Sequence, residues 1–174
     1  MVKRLIDALN NTQQDYMFTG ALAASYYGTP RTTMDIDIIL AISEPDTNIL
    51  VQALTEAGLN AEDRLFKQAK SSGYNIISLH DAQTPYTVDL ILLQGPLDKK
   101  PCTILEKPTY IQTPENLILA KLRMIKATQD PEKSAKDKND IIAILRYTQV
   151  DKAKILREAE NEKTIHILQT ITVP

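Results

Sequence analysis

Two strongly apolar runs in this 174-residue chain each carry carboxylates, and any fold it adopts must accommodate them. Asp35-Ile36-Asp37-Ile38-Ile39-Leu40 opens with two aspartates two residues apart, and Val88-Asp89-Leu90-Ile91-Leu92-Leu93 holds a third. In a strand, residues i and i+2 project to the same face about 7 Å apart, so Asp35 and Asp37 stand side by side. The second run lacks polar alternation and reads as a strand buried on both faces. A bare carboxylate there is costly unless it is paired, protonated or metal-bound. If the two strands pair, three acids converge, and their repulsion raises their pKa values until a cation restores the ionised form. Mg²⁺ suits such a cradle because it accepts a few carboxylates together with waters and substrate phosphates; Mn²⁺ is the alternative ion.

Upstream, Tyr16 to Phe18 reads as a short strand and Ala21 to Tyr27 as a helix opened by Gly20. A glycine there lets phosphate oxygens approach the outward-pointing N–H groups of a helix N-terminus. Gly20 also fits a simple strand-to-helix turn, and both readings stand. In the C-terminal third, Pro114 to Ala127 reads as a helix with Leu117, Ile118, Leu122, Met124 and Ile125 on one face and Lys121 in the middle of that stripe. A lysine so placed snorkels or reaches an anion. A second helix starts with Asp130 as N-cap and Pro131 at its first position. Its apolar stripe is Ile141, Ile142 and Leu145, extended at its N-terminal edge by Lys138.

In these residues the chain resembles the nucleotidyltransferase superfamily, the fold of DNA polymerase beta and of antibiotic nucleotidyltransferases. Gly20-Ala21, Asp35-x-Asp37 and Asp89 match the family's helix-opening glycine, acid-x-acid strand and later single acid in order and spacing. Gly20-Ala21-Leu22-Ala23 and Arg31-Thr32-Thr33-Met34-Asp35-Ile36-Asp37 are similar to the strings of small toxin–antitoxin and abortive-infection members. The resemblance spans residues 14 to 147. Ala21 departs from the usual glycine or serine, leaving backbone N–H groups as its only phosphate donors.

The resemblance implies two Mg²⁺ ions held by Asp35 and Asp37, with Asp89 binding the catalytic ion and helping to deprotonate an attacking hydroxyl. It implies an NTP substrate such as ATP, release of pyrophosphate, and nucleotide binding by Gly20, Ala21, Arg31, Thr33, Lys121 and Lys138. The acceptor hydroxyl lies on RNA, a protein or a small molecule, and a toxin–antitoxin partner protein is expected. Related sequences carry a lysine in the first of the C-terminal helices and a Lys-Asp-x-x-Asp-Ile-like run in the second, matched here by Lys121 and Lys136-Asp137-Lys138-Asn139-Asp140-Ile141.

Other readings compete. Asp35 and Asp37 also fit the wet face of an edge strand, and Asp89 fits an ion pair with Arg31 or Arg64. Arg31 serves either a substrate or the internal acids. An acid-x-acid motif also occurs in nucleotide-sugar transferases, and a non-catalytic binding module or antitoxin partner on the same fold is the alternative that Ala21 favours. His80 and His166 have no His or Cys neighbours at metal-ligand spacing and read as surface residues.

Composition fits a compact cytoplasmic enzyme: a single cysteine, Cys102, excludes an internal disulfide, and no signal peptide or membrane span is expected. Acids outnumber bases through residue 120 and bases outnumber acids from 121 to 157, while the net charge of −2 lends no support to a polyanionic acceptor. The expected path is helix (Val2 to Asn11), strand, helix, strand (Met34 to Leu40), helix (Asp46 to Ala57) and strands at Tyr74 to Leu79 and Thr87 to Leu93. A loop through Gly95-Pro96 and Lys100-Pro101 follows, then mainly helix, with Asp151 capping one more and Ile165 to Val173 ambiguous. The expected class is α/β (α+β): a short mixed sheet flanked by helices over residues 1–110, then a helical C-terminal subdomain, 111–174, that closes the nucleotide cleft.

Overall fold

The computed structural model describes residues 1–12, 14–41 and 47–172, so the expected helix start at Asp46 lies outside the described residues. The chain forms two compact units, one of residues 1–21 and 32–112, the other of residues 22–31 and 113 onward.

The first unit is a six-stranded mixed sheet with helices. Its strands are β1 (Asp15–Phe18), β2 (Asp35–Ala41), β3 (Ile76–His80), β4 (Thr87–Leu93), β5 (Lys99–Ile104) and β6 (Lys107–Gln112), in the order β3-β4-β2-β1-β6-β5. β2 pairs parallel with β4 and antiparallel with β1, and β3 closes the same side antiparallel to β4. Alternation along β2, β3 and β4 buries Ile36, Ile38, Leu40, Ile77, Leu79, Val88 and Leu90 on one face. Helix α1 (Val2–Asn10) contributes fully buried Leu5, Ile6 and Leu9 to the core and packs on α3 (Asn48–Glu56) and β6, while α4 (Asp63–Ser72) packs on β3.

The β5–β6 hairpin occupies the stretch expected to be loop and helix. Leu105 and Glu106 form its two-residue turn, both left-handed at φ 49° and 67°. Such turns normally carry Asn-Gly or Asp-Gly, so Leu-Glu gave no signal. Pro101 is tolerated because β5 is an edge strand. Helix α4 was also unexpected, although Asp63 in its first turn and Gly73 beyond its end, left-handed at φ 69°, are ordinary start and stop marks.

The second unit contains most of α2 (Gly20–Tyr27) with α5 (Pro114–Ala127), α6 (Pro131–Tyr147), α7 (Lys152–Asn161) and α8 (Ile165–Thr172). Asp130 caps α6 by accepting from the Glu132 and Lys133 N–H groups, and Asp151 caps α7 by accepting from Lys154 N–H. The α6 stripe is rotated from the expected one: Ile141 and Ile144 are fully buried, whereas Ile142 is 41% exposed. The face toward the bundle is set by Asp137, Asp140, Ile141 and Ile144, which share the helical spacing, and Ile142 and Leu145 fall on a groove shared with α7 and α8. No helix among the described residues is long and apolar enough to cross a membrane.

Candidate active site

Strand register decides where the acids go. The parallel β2–β4 pair aligns Asp35 with Thr87 and Asp37 with Asp89, and β3 aligns Ser78 with Asp89 and His80 with Thr87. Directly paired residues share a face, so Ser78-Asp89-Asp37 and His80-Thr87-Asp35 run as two rows across the sheet. This is the face opposite the buried one. Asp89 is therefore not buried on both sides as its apolar run implied: Val88 and Leu90 carry the core, and Asp89 is half-buried on the open face.

Hydroxyl donors hold two of the acids. Ser78 Oγ donates to Asp89 Oδ1 at 2.6 Å, and Thr87 Oγ1 donates to Asp35 Oδ1. Thr33 Oγ1 accepts from Asp35 N–H at 3.2 Å and donates to Asp35 C=O at 3.0 Å, so it secures the start of β2. The carboxylates share a face, and among the described residues no group of three His, Cys, Asp or Glu side chains stands ready to hold a metal ion. The donor set itself, carboxylate oxygens on one open face, is that of a hard divalent cation such as Mg²⁺.

Asp37 is seated by Gly20. Gly20 is left-handed at φ 60°, and a Cβ there would lie 1.8 Å from Asp37 Oδ2 and 2.6 Å from its Cγ. The room left by the missing side chain is thus occupied by the Asp37 carboxylate, at the first residue of α2, where the helix dipole favours negative charge. Gly20→Ala combines a left-handed backbone penalty with a clash, together about 3 kcal/mol. At roughly 2–4 °C per kcal/mol, the expected fall in Tm is about 6–12 °C by scanning calorimetry; an unchanged melting curve would show that Asp37 does not rest there.

The second unit places the cations differently from expectation. Lys121, 6% exposed, bonds Asp137 at 2.7 Å and Asp140 at 2.8 Å. Arg31 forms a two-pronged pair with Asp140 through Nε at 3.1 Å and Nη2 at 3.0 Å. Arg31 is thus an internal partner of an acid, and that acid is Asp140 rather than Asp89; Arg64 pairs with Glu62. Lys138 is exposed on α6 and has no carboxylate partner among the described residues. The acids of the Lys136–Ile141 run, three residues apart on one helix face, were the sequence signal for this network, as was Ser78 for Asp89 once β3 and β4 are paired. Ala21 is buried. Cys102 is half-buried in β5, where burial pushes its thiol up and away from nucleophilic use.

The fold is one shared with nucleotidyltransferases. Solved structures with this fold include an antigenic nucleotidyltransferase-like protein from Paracoccidioides brasiliensis, 15% identical at a TM-score of 0.61 over 97% of this chain and 85% of that one. The antibiotic-resistance factor ANT(2″)-Ia is 11% identical at a TM-score of 0.62, covering 97% of this chain and 94% of that one. A second structure of it, with adenylyl-2″-tobramycin, aligns at 0.56 and 10% identity over 98% and 94%. A search of curated proteins found no match. The family model described as nucleotidyl transferase AbiEii toxin, type IV toxin–antitoxin system, matches residues 4–173, and the chain belongs to that family of nucleotidyltransferases. The sugar-transferase and non-catalytic readings give way to this assignment.

Proposed function

We propose that this protein is the toxin component of a toxin–antitoxin pair and transfers a nucleoside monophosphate from an NTP to an acceptor hydroxyl, with Mg²⁺ as cofactor. The observation that carries the reading is the register that sets Asp37 beside Asp89, with Asp35 two residues along on the same open face. Two ions held by Asp35, Asp37 and Asp89 would neutralise charge on the triphosphate and on the attacking and leaving oxygens. The first-turn N–H groups of α2, from Gly20 and Ala21 onward, supply donors to the triphosphate. The acceptor oxygen bonds to the α-phosphorus, the bond to the α,β-bridging oxygen breaks, pyrophosphate leaves with the electron pair, and Asp89 takes the hydroxyl proton. Of the three cations that the resemblance assigns to nucleotide binding, Arg31 and Lys121 are engaged by carboxylates, which leaves Lys138 as the candidate phosphate ligand. The fold shared with ANT(2″)-Ia supports a hydroxyl acceptor, without choosing among RNA, protein and small molecule.

The test is incubation of wild type and the Asp35→Ala/Asp37→Ala double variant with each α-labelled NTP, Mg²⁺, and total tRNA or cell lysate. Label should move with wild type alone, stop on chelation with EDTA and return with Mg²⁺ or Mn²⁺. Nuclease or protease sensitivity of the product then names the acceptor class. Equal labelling by the double variant, or labelling that survives chelation, would sink the proposal.

A further inference from the structure

We infer that the open row of β3, Ile76, Ser78 and His80, is the side from which the acceptor enters, and that Ser78 is the positioning residue for Asp89. This rests on the nucleotidyl-transfer reading above. The strand order β3-β4-β2-β1 places four features in sequence across the open face: Ser78 on β3, Asp89 on β4, Asp37 on β2, and Gly20 just beyond β1. An in-line displacement sets the entering oxygen and the departing pyrophosphate on opposite sides of the phosphorus. With the triphosphate at the first turn of α2, on the Gly20 side, the entering oxygen comes from the β3 side. Among the described residues of the first unit that row stays open: Ile76 is 38% exposed, and Ser78 and His80 are exposed as well, while Ile77 and Leu79 anchor the strand in the core.

Ser78 ties this row to the chemistry. Its hydroxyl donates to Asp89 Oδ1 at 2.6 Å, which holds the carboxylate toward β3 and leaves Oδ2 free of that bond. Ile76, one strand step away on the same face, offers an apolar contact for the acceptor body, and His80 a polar one. No lysine or arginine stands in the row or in β4, so the row itself offers no positive charge to an acceptor.

Ser78→Ala, Ser78→Thr and Ile76→Glu test this in the full chain, using α-labelled NTP, whichever of total tRNA or lysate protein wild type labels, and calorimetry of NTP binding with Mn²⁺. Ser78→Ala is expected to lower kcat about 10–100-fold while NTP affinity stays within about twofold, and Ser78→Thr to recover most of the rate. Ile76→Glu is expected to raise the acceptor KM about 10-fold or more with NTP binding unchanged. An acceptor KM left at the wild-type value by Ile76→Glu overturns the β3 side. NTP binding that weakens in parallel with transfer in Ser78→Ala, or no recovery in Ser78→Thr, overturns the positioning role. Wild type that binds no NTP removes the transfer reading and this subsite with it, whereas NTP binding that persists alongside wild-type acceptor kinetics in all three variants removes the subsite alone.

Discussion

Asp37→Ala should lower nucleotidyl transfer by about 10³-fold, the scale expected when one of a few preorganised charges at a phosphoryl centre is removed. Asp37 is singled out by geometry: it has an acid as its cross-strand partner and lies against Gly20. Its removal relieves repulsion with Asp89 but also gives up the contact at the first residue of α2, so thermal stability is expected to change little while activity vanishes. Single-turnover transfer and thermal unfolding on the same preparation check both halves. Activity above about a tenth of wild type would mean that Asp37 is not part of the charge-stabilising set.

A large loss of stability is expected from Asp140→Ala. The substitution strips the two-pronged partner from Arg31 and one of two carboxylates from Lys121, which is buried. Removing one member of a buried ion pair costs about 3–5 kcal/mol because a charge is left without compensation. Asp137 still holds Lys121 at 2.7 Å, so the lower end applies. The fall in Tm should be roughly 6–12 °C. Pairing Asp140→Leu with Lys121→Met should recover only part of it, since an apolar replacement of the buried pair is close to neutral while Arg31 still loses Asp140 and Asp137 loses Lys121. A shift below about 2 °C in Asp140→Ala would show that the network is solvated and weak.

Much of the site's chemistry could be read from local sequence. An Asp-x-Asp at the head of an apolar run places two carboxylates on one strand face whatever the rest of the chain does, because the side-chain period is two. Asp130-Pro131 and Asp151 mark helix starts through bonds that close within three residues. The stripe around Lys121 likewise called, by spacing alone, for a lysine that snorkels or reaches an anion. The identity of that anion was another matter, since Asp137 and Asp140 are distant in sequence and only helix packing brings them to Lys121. The β5–β6 hairpin was hidden because its turn uses Leu-Glu and its strands carry Pro101 and Pro108, so local preference pointed away from the structure adopted.

The sequence by itself determined the carboxylates, the strand that pairs two of them, the helix caps and the glycine before α2, all set by contacts within a few residues. Only the tertiary structure decided that Asp89 faces open space beside Asp37 and Ser78, that Gly20 gives its room to a carboxylate, and that Arg31 and Lys121 serve Asp140. Strand register and helix packing join residues tens of positions apart, and a one-residue slip of β4 would have turned Asp89 into the core; that register is held by the burial of Val88 and Leu90, a property of the assembled sheet.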